Sequence, residues 1–397
     1  MTNLQIMKNT LLAAVAALAL VACGDDSTEL ASPGTAGPNP GTGNPTDPTD
    51  PTDPTDPGDG ECPEGTETVA VGSQEHCRIS GTVTQDLTLT SDNIYQLSGK
   101  VVIGVDTGAD GSAADGDPAT LKIEAGTRVY GATKTDLLVI SRGSKIEAVG
   151  SQSEPIIFTS GLDLGFAADL GLTARSGHSG SALTEPYTSE WGGIVINGKA
   201  TINTCNGDGV CEAEGEGDSG LYGGSDDTDS SGILKYVQVK YAGNPITGDD
   251  ELNSIAFQGG GSGTEVDYVH IHNGADDGVE FFGGTVQLKH VVITGSDDDG
   301  FDWTQGWRGK AQHVIIMQNP NQPASDQGIE ADNFGDGNDF LPRAKPRLAN
   351  FTIVGSQSLG GESDIGMLLR EGTGANIYNT VVSDFGDACL DIDQDAT

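Results

Sequence analysis

Basic residues are scarce in this chain of 397 residues, where 19 Lys and Arg stand against 59 Asp and Glu and the formal net charge is −40. Nucleic acids and anionic lipids are bound through many Lys and Arg contacts, so the charge balance disfavours both as partners. It favours solubility, salt tolerance or bound cations. Most of the acidic side chains are expected to lie on a solvated surface.

Long apolar runs and familiar catalytic motifs are also missing. The apolar run Leu11–Ala22 is twelve residues long, which is too short for a permanent membrane anchor. No P-loop, dinucleotide fingerprint, nucleophile elbow or Cys-His motif of a catalytic family occurs. No segment with helical periodicity separates the strand-like runs of the second half, so helical crossovers between strands are not expected.

The N-terminal segment has the features of an export signal. Lys8 precedes the apolar run, which ends in Leu20-Val-Ala-Cys23 and resembles the lipobox of bacterial lipoproteins. We expect residues 1–22 to be a lipoprotein signal peptide and Cys23 to be lipidated; an ordinary signal peptide is the alternative. Gly24 favours the outer membrane, on its periplasmic face or at the cell surface. The lipid is then the expected membrane contact.

Residues 23–60 are predicted to form a disordered tether after the lipidated cysteine. The segment is rich in Pro, Gly, Thr and Asp and contains four copies of Thr-Asp-Pro at 46–57. Proline fixes φ and repeated Asp repels itself, so the chain should be extended and has too few apolar residues to build a core.

Two short phrases recur in the second half of the chain. The first alternates apolar and polar residues and returns six times, at 234–240, 266–272, 288–294, 311–317, 348–354 and 377–383. The second follows five of these copies, as in Asp277–Phe281 and Asp299–Trp303. Glu280 and Asp302 are 22 residues apart. A period of this length with strand-like runs is typical of a solenoid.

The fold predicted from these repeats is all-β, a single-stranded right-handed parallel β-helix over residues 81–397. A parallel sheet without helical crossovers must coil upon itself, and right-handed crossovers dominate in proteins. Loops are expected to be inserted near 161–190 and 206–231. The chain stops at 395–397 directly after a strand-like run, so we expect it either to continue or to meet a partner there.

Several segments resemble a widespread group of secreted bacterial right-handed β-helix proteins. These segments are Leu121–Gly131, Leu138–Gly150, Pro155–Ser160, Trp191–Gly198, Gly284–His290 and Asp297–Asp302. The resemblance covers roughly residues 62–397. It implies the fold and an exported location, and it assigns no catalytic residue.

The cysteines are expected to form two disulfides, because exported proteins reside in oxidising compartments. Cys62 and Cys77 should close an N-terminal cap at 61–80, and Cys205 should pair with Cys211 across a turn-rich loop. Neither pair has the spacing of a zinc site. Cys389 is left over and is expected to be a free, partly covered thiol.

A metal site is expected where acidic residues stack on one outer face of successive coils. Strands in a sheet lie about 4.8 Å apart, and like charges at that distance repel unless protonation, a basic neighbour or a cation relieves them. Calcium fits such a column of carboxylates. Asp before Gly also has a simpler explanation as a turn former. The proposed ligands are Asp276, Asp277, Glu280, Asp298, Asp299, Asp302, Glu330 and Asp332.

A calcium-dependent polysaccharide lyase or glycoside hydrolase is the alternative interpretation of this face. A lyase would use calcium on carboxylates and Arg370 as base, although the counter-charge of an acidic column is the more usual role of such an Arg. A hydrolase would use two or three carboxylates on adjacent coils, which Glu280, Asp299 and Asp302 could supply. Three aromatic side chains could stack on sugar rings, although Trp303 is expected to face inward: Phe282, Trp303 and Trp307.

The histidines add little to a metal hypothesis. His270 and His272 share the outward face of one strand, but no third zinc ligand can be identified. His290 and His313 occupy a repeat position that Tyr and Asn fill in other copies, so this column is expected to stack or to cap a turn.

The sequence therefore predicts an envelope-anchored lipoprotein whose β-helix binds cations, carbohydrate or a partner protein through an acidic face. Calcium is the one cofactor expected. The alternatives are the lyase or hydrolase described above and a purely structural cell-surface protein.

Overall fold

A computed structural model describes residues 60–172, 187–247, 250–321, 325–361 and 363–393. The expected signal peptide, Cys23 and nearly all of the tether lie outside the described residues, as do part of the first insertion and the last four residues. No helix in the described part of the chain is long and apolar enough to cross a membrane.

Short strands dominate the described chain, and two 3-10 turns, Glu216–Asp218 and Gln357–Leu359, accompany them. The strands, in chain order, are β1 (Glu67–Val71), β2 (Gln74–Val83), β3 (Leu87–Leu89), β4 (Ile94–Ile103), β5 (Thr120–Ile123), β6 (Arg128–Gly131), β7 (Leu137–Ile140), β8 (Lys145–Val149), β9 (Ile156–Ser160), β10 (Gly193–Asn197), β11 (Ala213–Glu214), β12 (Leu221–Tyr222), β13 (Gly232–Lys240), β14 (Asn244–Thr247), β15 (Asp250–Leu252), β16 (Ile255–Gln258), β17 (Glu265–His272), β18 (Val279–Phe282), β19 (Gln287–Thr294), β20 (Phe301–Thr304), β21 (Lys310–Met317), β22 (Ile329–Ala331), β23 (Arg347–Val354), β24 (Met367–Leu369), β25 (Asn376–Tyr378), β26 (Val381–Ser383) and β27 (Asp391–Ile392).

Three parallel ladders of strands organise the fold. The first ladder runs from the C-terminal half of β4 through β7, β10, β16, β18, β20, β22 and β24 to β27. The second runs through β3, β5, β8 and the N-terminal halves of β13, β17, β19, β21 and β23 to β25. The third uses β6, β9, the C-terminal halves of those long strands, and β26. Each coil visits the three ladders in turn, so the predicted parallel β-helix is confirmed.

The core fills the space between the ladders with alternate side chains of every strand. In β18 and β20 the inward residues Val279, Phe281, Phe301 and Trp303 are at most 2 % exposed. Aromatic rings continue the packing from coil to coil, since the centroids of Phe281 and Phe301 are 5.2 Å apart. Because every coil repeats the alternation, the residue between each inward pair faces away from the core.

The corner between the second and third ladders is a column of residues with left-handed backbone conformation. Six coils place a non-glycine residue there with φ between 49° and 60°: Tyr236, Tyr268, His290, His313, Asn350 and Asn379. The four rings stack at centroid distances of 4.6, 4.5 and 5.1 Å. Asn379 then donates a 2.6 Å hydrogen bond to Asn350. The expectation that His290 and His313 belong to a stacking column is confirmed.

Both predicted disulfides are confirmed. Cys62 pairs with Cys77, with 5.4 Å between their Cα atoms, beside an antiparallel pairing of β1 with β2. Cys205 pairs with Cys211 at a Cα separation of 5.6 Å. Cys389 is a free thiol as predicted, but it is exposed rather than partly covered.

The second insertion packs against the outside of the first ladder. Its residues Cys211 and Tyr222 are 2 % exposed and form a second apolar cluster with outward residues of the ladder such as Val195 and Phe282. Arg142 fastens it, because its guanidinium, 1 % exposed, contacts Asp106, Glu212 and the carbonyl oxygen of Gly223. The insertion is therefore a covering segment with its own small apolar core.

The last coil differs from the others in exposure. Leu390 and Ile392 lie at the repeat positions that face inward in earlier coils, and β27 pairs in register with β24. They are nevertheless 46 % and 57 % exposed, because no described residue covers that side of the coil.

Candidate functional site: an acidic column on the first ladder

The outward column of β18, β20 and β22 is acidic at the centre of each strand. Glu280 pairs with Asp302 and Asp302 with Glu330, in the register that the repeats predict. On one side the column continues to Ala256, and on the other to Leu368 and then Asp391. The strands thus place three carboxylates on three adjacent coils, about 4.8 Å apart along the ladder.

A second column, formed by Asp277 and Asp299, lies in the turn just before β18 and β20, where Asp precedes Gly. The Asp277 carboxylate accepts a 3.0 Å hydrogen bond from the backbone N–H of Asp299, and the Asp299 carboxylate accepts one of 2.6 Å from Gln327. Asn253 begins the column by accepting the N–H of Asp277 at 3.2 Å. One oxygen of each Asp therefore holds the backbone of the next coil through a hydrogen bond. This contact gives the Asp-Gly pairs a structural role.

The two columns converge into groups of carboxylates. Oxygens of Asp277, Glu280 and Asp302 lie within 4.8 Å of one another, and so do those of Asp299, Asp302 and Glu330. Asp302 belongs to both groups. Asp276 and Asp298 form a third group with Glu251, again within 4.8 Å. Seven of the eight predicted ligands are thus brought together.

The eighth predicted ligand, Asp332, is engaged elsewhere. Its carboxylate accepts hydrogen bonds from Nε and Nη2 of Arg370 at 3.0 and 3.2 Å. Arg370 also lies 2.8 Å from the Glu330 carboxylate. The surrounding carboxylates raise the pKa of Arg370 against the opposing effect of burial. These contacts favour the role of a fixed counter-charge, because a base must release its proton.

Two segments outside the repeated phrases, the second insertion and the antiparallel pair β14–β15 with the residues that follow it, cover one end of the acidic column. Asn253, just after β15, donates hydrogen bonds from its Nδ2 atom to Glu280 at 2.7 Å and to Glu216 at 3.1 Å. Glu280 is consequently only 8 % exposed, although it faces away from the core. The repeats predicted its direction but not this cover, because Glu216, Glu251 and Asn253 come from insertions outside the repeated phrases.

Burial and mutual repulsion together raise the pKa values of the clustered carboxyl groups. Burial is the largest cause for Asp277, Glu280, Asp299 and Asp302, whose pKa values lie well above their ordinary range, and neighbouring carboxylates add to it. Burial raises the pKa of Glu330 to about 7 even though Arg370 opposes the shift. The same causes raise the pKa of Asp276 to about 7 and that of Asp298 to about 6. These shifts favour the protonated forms of the clustered carboxyl groups in the folded protein.

One carboxylate oxygen in the column lacks a partner. Oδ1 of Asp302 is buried and has no hydrogen-bond partner among the described residues. A buried, unsatisfied carboxylate oxygen is costly unless a proton or a cation occupies the neighbouring space.

The aromatic side chains considered as sugar platforms are not available for that role. Trp303 and Trp307 are fully buried in the core, and Phe282 is 7 % exposed beneath the second insertion. The stacking hypothesis for these three residues is wrong, because the core and the insertion occupy their ring faces. The inward direction expected of Trp303 is confirmed.

The two histidines on β17 converge on a hydroxyl group. Nε2 of His270 and Nδ1 of His272 lie 3.3 and 2.8 Å from Oγ1 of Thr294. Burial lowers the pKa of His272 to about 4, and it also lowers that of His270. Neither belongs to a group of three or more converging metal-ligating side chains in the described part of the chain.

An all-β solenoid with an insertion-covered acidic column on one outer face is the class of protein that these observations define. The family model described as a pectate-lyase-like β-helix domain matches residues 81–397, and the chain belongs to this family. No curated protein and no solved structure is a significant match.

Proposed function

We propose that the protein is an exported lipoprotein whose β-helix binds a divalent cation, calcium, at the acidic column of the first ladder. The proposal rests on the position and contacts of Asp302. Its carboxylate lies in register between Glu280 and Glu330, belongs to two converging carboxylate groups, and keeps one buried oxygen without a partner.

The dimensions of the groups fit one ion of this kind. Calcium binds oxygens at 2.3–2.6 Å, so opposite ligands around it are separated by roughly 5 Å. The oxygens of Asp277, Glu280 and Asp302 lie within 4.8 Å of one another, as do those of Asp299, Asp302 and Glu330. Hard carboxylate oxygens without sulfur or imidazole favour calcium over zinc or copper. A bound calcium ion would supply the positive charge that Arg370 alone cannot.

Calcium binding should displace protons, since the raised pKa values favour the protonated forms of the clustered carboxyl groups. Titration calorimetry at about pH 7 in two buffers of different ionisation enthalpy measures this release directly. We expect saturable binding with release of about one proton per ion. D302N should abolish it, whereas D391N, in the same column but exposed on the last coil, should leave it unchanged. Absence of saturable binding to the wild type would favour a purely structural role, and equal loss in both variants would contradict the assignment of the ion to Asp302.

The lipid anchor is a separate part of the proposal and rests on the sequence Leu20-Val-Ala-Cys23. Metabolic labelling with a fatty acid should mark the wild-type protein and fail to mark C23S. Labelling of C23S, or an unlabelled wild type released from membranes by salt alone, would contradict lipidation.

A calcium-dependent polysaccharide lyase is the second candidate, favoured by the match to the pectate-lyase-like family. Such an enzyme needs a base beside the cation, and Arg370 is held by Glu330 and Asp332 with a raised pKa. Ultraviolet detection of unsaturated sugars, released from acidic polysaccharides in calcium, tests this activity. Product from wild type but not from D302N would establish it.

A further inference from the structure

The outer face of the second ladder becomes basic after β17, whose residues in the same columns are Glu265 and Asp267. Along β19, β21, β23 and β25 the outward residues form two columns, Gln287–Lys310–Arg347–Asn376 and Lys289–Gln312–Ala349–Tyr378. None of these side chains is acidic, although the whole chain carries 59 acidic and 19 basic residues. We refer to these eight residues as the basic strip.

The cations of the basic strip are available for a partner. Lys310 and Arg347 are exposed, and neither forms an ion pair with another described residue. Lys289 is 54 % exposed and has a distant contact of 3.7 Å with Asp267. Asp267 itself is buried and also contacts Lys235 and His290, so Lys289 shares this carboxylate and keeps an exposed ammonium group. Lys310 and Arg347 are the two cations of the strip that can accept a new anionic partner without giving up an ion pair.

The spacing of the strip suits an extended polymer. Lys310 and Arg347 pair directly on neighbouring strands, about 4.8 Å apart, and Lys289 lies diagonally from Lys310 on the preceding strand. Beside them a groove of about 440 Å³ is lined by Gln287, Lys289, Lys310 and Gln312, with Glu265 at the end nearest β17. The groove lies on an open sheet face, where an extended chain can lie across successive coils.

The amides and the terminal ring indicate the chemistry of the polymer. Gln287 lies directly opposite Lys310 and Gln312 directly opposite Lys289, and amides both donate hydrogen bonds to hydroxyl groups and accept them. Tyr378, 59 % exposed, ends one column with a ring that can pack against a sugar. The cations can pair with carboxylate or sulfate groups, and the amides can form hydrogen bonds with hydroxyl groups. Anionic glycans carry both an acidic group and hydroxyl groups.

We propose that the basic strip is a binding site for a linear anionic glycan bearing carboxylate or sulfate groups. The site lies on a different ladder from the acidic column and uses cations rather than carboxylates. Glycan binding there requires no metal. The acidic column and the basic strip would then act as two separate ligand sites on neighbouring faces of each coil.

Affinity electrophoresis in EDTA tests the proposal while excluding any contribution from bound calcium. The probes are a linear polyuronate, dextran sulfate, uncharged dextran and poly-glutamate. We expect retardation by the polyuronate or dextran sulfate, whichever anionic group is recognised, and none by uncharged dextran. K310E/R347E should weaken binding by at least about tenfold, since two attractions become repulsions.

The matched control is K122E/K145E, which changes net charge equally on the same ladder at β5 and β8. It should bind as the wild type does, and unfolding curves should show that both variants fold. Equal losses of glycan affinity in the two variants would show that net charge alone causes the effect, and would contradict a site on the basic strip. Absence of binding to both anionic glycans would overturn it too, and retardation by poly-glutamate as strong as by the glycans would indicate an acidic peptide instead.

Discussion

Asp302 is a residue of the acidic column at which burial and repulsion between carboxylates combine strongly. Its carboxylate belongs to two groups of three, and burial, Glu330 and Asp332 raise its pKa. Replacing it with Asn keeps the shape and removes the ionisable group. We expect D302N to raise the free energy of unfolding in EDTA by about 1 kcal/mol, because the wild-type carboxyl group must either repel its neighbours or take up a proton on folding.

The same substitution should remove most of the stabilisation that calcium gives the wild-type protein. Urea unfolding with EDTA and with calcium provides both quantities, and D391N should follow the wild type in each. A D302N protein that is less stable in EDTA, or that calcium stabilises as much as the wild type, would contradict the assigned role.

Arg370 should matter for stability rather than for proton transfer. It contacts Glu330 at 2.8 Å and Asp332 at 3.0 Å, so R370Q leaves two carboxylates without their counter-charge. We expect a loss of about 2 kcal/mol in EDTA, which calcium should partly restore. The exposed pair of Arg78 with Glu67 is the comparison, and R78Q should cost under about 1 kcal/mol. If R370Q lowers the free energy of unfolding by no more than R78Q does, Arg370 is not the counter-charge of the column.

At the scale of the element, the left-handed corner limits which residues each long strand can carry. His313 has φ of 59° and stacks on His290 at 5.1 Å. Asn, which occupies this position at Asn350 and Asn379, adopts that conformation readily, whereas β-branched residues do not. We expect H313N to cost under about 1 kcal/mol and H313V at least about 2 kcal/mol. Equal costs in thermal unfolding would mean that ring stacking, and not backbone conformation, selects the residue.

The repeats predicted the elements well because each strand pairs with its own copy. Alternation at Val279–Phe281 and Phe301–Trp303 fixes which residues face inward, and the 22-residue period then fixes the register of Glu280 with Asp302. The cover over Glu280 could not be predicted, because the contact of Asn253 with Glu216 joins two insertions that follow no period. The buried state of Phe282 was missed for the same reason.

At the scale of the whole molecule, the acidic column should make stability depend on pH in an unusual direction. The folded pKa of Glu330 and of Asp276 is raised to about 7, above the unfolded value, and that of Asp298 to about 6. A raised folded pKa gives stability that is complete below the unfolded value, about 4, and is lost as pH rises through the folded value.

Without calcium the melting temperature should therefore fall as pH increases from about 5 to about 8. Saturating calcium should abolish this fall, because the ion replaces the lost protons, and its stabilising effect should grow with pH. Scanning calorimetry across this range in EDTA and in calcium measures both trends. A melting temperature that rises with pH in EDTA, or a calcium effect independent of pH, would contradict the assignment of these carboxyl groups.

The central claim is that one ion sits against Asp302, and anomalous diffraction from crystals grown with calcium tests it most directly. We expect a calcium peak within about 2.6 Å of a carboxylate oxygen of Asp302, with oxygens of Glu280 or Glu330 completing the site. A peak only at exposed loops, or an Asp302 carboxylate without an ion at saturating calcium, would contradict the account.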